Sequence, residues 1–169
     1  DEYEKVITGY YDKDVDLMSR LEALQRAVML SNAVTKVKIK IGENEEERTV
    51  AEAINMKNNS MVFKKYMLDK MQQQLAQAQG KANKENENLE NKSETYVTGL
   101  FGQKEGKTST DEITKAKQQY IDLNTWTLVD PINVQNKIRV LSDEISSFEA
   151  EVDSVLSTSN ALTTVTIEY

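Results

Sequence analysis

Ser31-Asn32-Ala33-Val34-Thr35-Lys36-Val37-Lys38-Ile39 and Ser159-Asn160-Ala161-Leu162-Thr163-Thr164-Val165-Thr166-Ile167 are one passage written twice, at a constant offset of 128 residues. Six of the nine positions are identical. In both copies a polar Ser-Asn pair precedes an alternation of apolar and polar residues. Asparagine tolerates the left-handed conformation in which helices end, and strict alternation describes a strand with one dry face and one wet face. The passage therefore predicts a helix handing over to a strand. Convergence on a common helix-to-strand connection would give the same pattern.

The sequence upstream supports a duplicated unit. Ile7, Tyr10, Leu17, Leu21, Leu24 and Val28 step by threes and fours, with Asp14 as the one polar member, and form a coiled-coil seam. Val134, Ile138, Ile145, Phe148, Val152 and Val155 repeat it within one residue of the same offset. The repeat predicts two helix–strand units, residues 1–41 and 130–169. Their strands carry Val37, Ile39 and Ile41 in the first copy and Val165, Ile167 and Tyr169 in the second. The two strands are expected to pair in a small sheet whose exposed edges, and these six side chains, meet another subunit. Gly42 to Glu47 between them reads as a turn too polar to bury.

Between the copies, Thr49-Val50-Ala51-Glu52 has the spacing of a capping box and predicts a helix start. Ile54, Met61, Leu68, Leu75, Ala82, Leu89 and Tyr96 follow at seven-residue intervals, so one long helix is expected over 50–101, about 75 Å at about 1.5 Å per residue. Its second half is mostly Gln, Asn, Lys and Glu and needs a partner helix to hold. Gly99, Gly102 and Gly106 mark a turn. Ser109 with Glu112 repeats the capping box, and the return helices are placed at 110–156, interrupted near Asn124 to Val129. Asp130-Pro131 is the predicted restart, since aspartate caps well and proline suits the first helical position. The expected fold is a single domain, mainly α with a small β-sheet: a long antiparallel helical hairpin or coiled coil plus a duplicated helix–strand unit.

Composition narrows the chemistry. The chain of 169 residues holds no cysteine and no histidine, which removes disulfides, thiolate nucleophiles, the common zinc ligands and the usual general base at neutral pH. A formal charge of -7 argues against a phosphate-binding surface, so no nucleic-acid partner is expected. No apolar run is long enough for a membrane span, and residues 1–20 hold too many acids for a secretion signal. The start at Asp1 fits processing or a shortened chain, which an intact mass separates.

Candidate sites each have a plainer reading. Asp12, Asp14 and Asp16 have the spacing that opens a calcium loop, but Leu17 and Ala23 stand where its glycine and bidentate glutamate belong, so a solvated helix face is expected. Glu43 to Glu47 reads as a solvated turn rather than a metal site. Lys36, Lys38 and Lys40 meet an acidic partner or guard a strand edge. Trp126 and Tyr120, with Met61 and Met71, are the candidate anchor for a partner, against the plainer reading that they fill helix crossings. Asn58-Asn59-Ser60 and Asn91-Lys92-Ser93 match glycosylation sequons but fall inside predicted helix. No catalytic, cofactor or metal residue is assigned.

The order of parts resembles the septicolysin-like family of bacterial and phage-encoded proteins. The resemblance rests on the first helix, the Asn32-Ala33-Val34-Thr35 strand entry, the turn, Thr49-Val50-Ala51-Glu52-Ala53-Ile54 opening a long helix, and a long final helix, over about residues 15–160. It implies an oligomeric helical hairpin without established catalytic residues. The segment Gly102 to Thr108 and the C-terminal strand depart from the family pattern. Together these features predict a non-catalytic structural protein that forms a homo-oligomer, a phage virion component with itself and other virion proteins as partners, in the virion or the cytoplasm. The alternative is an oligomeric binding module that encloses a small ligand or grips a host protein.

Overall fold

The computed structural model describes residues 2–102 and 109–168. In order these form α1 (Glu2–Val34), β1 (Lys36–Ile41), β2 (Asn44–Thr49), α2 (Val50–Asn55), a π-helical turn (Met56–Ser60), α3 (Met61–Glu87), α4 (Leu89–Phe101), α5 (Thr110–Asn124) and α6 (Val134–Leu162). The protein is mainly α with one two-stranded antiparallel sheet. Where the length suggests one domain, the chain divides into two compact units, Asp1–Leu68 with Arg139–Tyr169, and Asp69–Ile138.

In the first unit the strand partner differs from the expected one. β1 pairs with β2, from Lys36 opposite Thr49 to Ile41 opposite Asn44, so the polar stretch read as a turn is itself a strand. Only Gly42 and Glu43 turn the chain. Gly42 has φ 63°, while Glu43 keeps a negative φ, the pattern of a turn with glycine at its first central position. The hairpin is held by charge: Lys36 Nζ lies 2.7 Å from Glu47 and Lys38 Nζ 3.7 Å from Glu45. Residues 163–168, the predicted second strand, form no strand, and 164–168 have no backbone hydrogen bond among the described residues. Tyr169 lies outside the described residues.

Both copies of the repeated passage nevertheless close a helix in the same way. Thr35 N–H donates to Ser31 O at 2.8 Å, and Thr163 N–H donates to Ser159 O at 3.0 Å. α6 runs on to Leu162 rather than ending near 156.

The core of this unit joins Val37, Ile39 and Ile41 of β1 to Val50, Ala53 and Met61 and to Ile145, Phe148 and Val152 of α6. Phe148 and Ile39 are fully buried. The start of α3 lies antiparallel to α6, shown by Lys57 on Asp153 and Lys65 on Glu149, both at 2.5 Å, and Lys64 on Glu144 at 2.6 Å. The capping box at Thr49 forms in full: Thr49 Oγ1 accepts Glu52 N–H at 3.2 Å and Glu52 accepts Thr49 N–H at 2.8 Å.

The seven-residue ladder is broken at its first rung. Ala53 is 0% exposed whereas Ile54 is 37% exposed. The π turn explains the shift, because Met61 N–H reaches back five residues to Met56 O and so absorbs one residue, returning Met61 to the face of Ala53.

In the second unit α4 and α5 lie antiparallel, with Lys117 on Glu90 and Glu94 of the facing helix. α4 ends at Phe101, where Gly102 turns with φ 68°. The Gly102 to Thr108 segment falls, from 103 onward, outside the described residues. Ser109 Oγ accepts Glu112 N–H at 3.3 Å at the start of α5. The ladder holds across Asn88, where Ala82 and Leu89 are both buried, and fails at its last rung: Leu89, Ser93 and Val97 form the buried face of α4 while Tyr96 is exposed. α6 starts three residues beyond Pro131: Asn133 adopts φ 53°, and the Asp130 carboxylate accepts Val134 N–H at 2.8 Å. Aspartate caps as expected, but from a turn ahead of the helix.

Candidate functional site

Three surfaces carry the residues singled out by sequence. The first is α1. From Tyr3 to Glu22 every residue is exposed, and burial begins only at Ala23. Ile7, Tyr10, Leu17, Leu21, Leu24 and Val28 all face water, flanked by Val6, Tyr11, Val15 and Met18. The helix meets the rest of its unit through its last turns, near α2 and β2. An amphipathic helix gains most of its stability by packing its apolar face. From Tyr3 to Glu22 this one has the face, and none of the described residues packs on it.

The second surface is the sheet end of the first unit. Here the sequence reading needs correction: Val37, Ile39 and Ile41 are not interface side chains, because they fill the chain's own core under Phe148. What β1 leaves open is its backbone edge. Along that edge runs a groove of about 410 Å³ lined by Val37, Val155 and Leu162 with Thr35, Lys38 and Thr158. A second groove, of about 340 Å³, is lined by both copies of the repeat, Ser31, Asn32 and Thr35 with Ser159, Asn160 and Thr163, and also by Val28, Val50 and Val165. Val165 and Ile167 are only partly covered.

The third surface lies in the second unit around Trp126. Its indole is half exposed, with Lys81 Nζ 5.8 Å from the ring centroid. Its main chain is clamped by Asn86, which donates to Trp126 O and accepts Trp126 N–H, both at 2.8 Å. Tyr120 stacks on Tyr96 at 4.8 Å instead of joining Trp126. Met61 belongs to the core of the other unit at 2% exposed, and Met71 is half-buried on α3. The four proposed anchor residues are therefore not one site.

Ionised groups form local surface ion pairs, and Lys117 bridges Glu90 and Glu94. Asp16 is held by Arg20 at 2.9 Å on an exposed turn of α1. Glu45 and Glu47 answer lysines across the hairpin, and Glu46 pairs with Arg48. Among the described residues no group of three or more acidic side chains is placed to hold a metal ion. The hydrogen bond from Lys36 holds the Glu47 carboxyl below its usual value, and the same bond raises Lys36. The Thr49 amide and hydroxyl lower Glu52. A hydrogen bond to Glu90 raises Lys117. All four shifts arise in surface contacts that stabilise a turn, a cap or a helix pair.

Sequence reasoning missed β2, although a signal was present. Lys36-x-Lys38-x-Lys40 is followed, across a glycine turn, by Glu45-Glu46-Glu47, and opposite charges facing across a ladder are a recognised stabilising pattern. No helix among the described residues is long and apolar enough to cross a membrane. No family model, curated protein or solved structure matches this chain.

Proposed function

We propose that the protein is a non-catalytic assembly component that forms a homo-oligomer through the seam of α1. The observation that carries this reading is the solvent exposure of a 33-residue helix whose apolar residues follow coiled-coil spacing. Contiguous apolar surface of that kind marks an interaction site in a protein that stays in solution. A second copy is the occupant that fits best, because identical helices supply identical seams and a closed symmetric interface needs only one self-complementary patch. The charges on α1 are of both signs, with Asp12, Asp14 and Asp16 near Lys13 and Arg20, which suits pairing of like helices. The septicolysin-like resemblance extends the reading to a virion component.

Light scattering at two concentrations tests it. A discrete oligomer that persists on dilution is the expected result. A monomer with α1 still helical by circular dichroism would refute the proposal.

A further inference from the structure

We infer that residues 163–168 of one copy add as a third strand to the free edge of β1 in a second copy, with Thr166 opposite Lys38. The inference rests on the homo-oligomer reading and names the second surface of that assembly.

The acceptor edge follows from the hairpin. A two-residue turn makes Ile41 and Asn44 a closing hydrogen-bonded pair, so the alternation of the ladder directs the main-chain groups of Ile41, Ile39 and Val37 to β2. Those of Lys36, Lys38 and Lys40 point the other way. Among the described residues no backbone partner lies on that side. Beside it is the groove of about 410 Å³ with apolar Val37, Val155 and Leu162 in its wall.

The donor matches that edge. Thr164-Val165-Thr166-Ile167 is β-branched throughout, lies in no helix or strand, and has no backbone hydrogen bond among the described residues. Residues directly opposite in a sheet project to the same face. Centring Thr166 on Lys38 therefore brings Val165 and Ile167 to the face of Val37 and Ile39, beside Val155 and Leu162. Thr164, Thr166 and Glu168 fall on the wet face with the three lysines. A shift of one residue would reverse this and put the threonines in the groove. The added strand also turns a two-stranded ribbon, marginal alone, into a three-stranded sheet on a helix.

The donor comes from another copy because a chain's own tail is led elsewhere. Thr163 is fixed by two bonds to Ser159 O, from its amide at 3.0 Å and its hydroxyl at 2.7 Å. Val165 lines the groove shared by the two repeat copies, with Val28 of α1 and Val50 of α2, and is not among the residues of the groove beside β1.

The absence of cysteine permits a clean trap. Lys38→Cys and Thr166→Cys chains, both altered only on the wet face, are mixed and oxidised, and the products are resolved by mass. A disulfide joining one chain of each kind is expected, since directly opposed residues have the Cα spacing a disulfide requires. Hydrogen exchange gives a second readout: amides of 164–168 are expected to be slow in the oligomer and fast after dilution to monomer. If light scattering finds an oligomer but the trap yields only Thr166-to-Thr166 links, or links only within a doubly substituted chain, strand addition between copies is wrong while the α1 reading stands. Fast exchange of 164–168 in the oligomer also overturns it. A monomer at every concentration overturns both.

Discussion

Leu17→Ala separates the role of α1 in assembly from any role in the fold. Leu17 is 66% exposed in the single chain, and its neighbours from Tyr3 to Glu22 are exposed too. Full burial of a leucine side chain stabilises by about 1.5–3 kcal/mol, so the two-thirds still open offers about 1–2 kcal/mol per copy. A symmetric pair of copies loses it twice. The substitution should therefore weaken a dimer by about 2–4 kcal/mol, a rise in Kd of roughly 30- to 700-fold. Alanine is the best helix former, so α1 itself is not weakened by propensity. Sedimentation across a dilution series, with circular dichroism on the same samples, reads both quantities. An unchanged association curve would refute the seam argument. So would a loss of helix in the monomer, since Leu17 would then have been supporting the fold.

Other expected outcomes follow from the interior and the caps. Phe148→Ala empties a side chain that is 0% exposed in the first unit, and chemical denaturation should report a loss of about 3–5 kcal/mol. Asn86→Ala removes both bonds to the Trp126 main chain, each contributing about 0.5–1.5 kcal/mol, and the change should appear as altered tryptophan emission and a lower melting temperature of the second unit. Glu52 and Glu47 have folded values below the usual 4.5, so the stability they contribute is present above that value and is lost as pH falls through the lowered ones. Glu52→Gln should flatten part of this acid dependence in a pH series of thermal melts, and an unchanged slope would show that the cap adds nothing measurable.

The local chemistry of this fold could be read from sequence wherever a single residue type has a single physical use. Thr49 with Glu52, Ser109 and the glycine at 42 act where their spacing placed them, whereas Asn32 and Asn160 lie within α1 and α6, which run on to Val34 and Leu162. The partner of β1 was not legible through hydrophobicity, because β2 is a strand of Asn, Glu, Arg and Thr whose sides are partly wet. Its pairing is specified by charge and by the turn. The candidate site was misjudged in one consistent respect. Alternation shows that Val37, Ile39 and Ile41 share a face, but cannot say whether that face meets the chain's own α6 or a second subunit. The α1 seam presented the same ambiguity, and from Ile7 to Leu21 none of the described residues covers it.

The π turn at Met56–Ser60 makes length, rather than composition, a sensitive property of this chain. A deletion of one residue there would cost the helix nothing locally; it would become an ordinary α-helix with better hydrogen bonds. Downstream, every side chain would rotate by about 100° about the axis. Met61 would leave the sheet, and Lys57, Lys64 and Lys65 could no longer meet Asp153, Glu144 and Glu149 together. The five residues Met-Lys-Asn-Asn-Ser thus act as a vernier, holding the sheet-side and helix-side portions of one interface in step, and the frame they set tolerates substitution far better than it tolerates a missing residue.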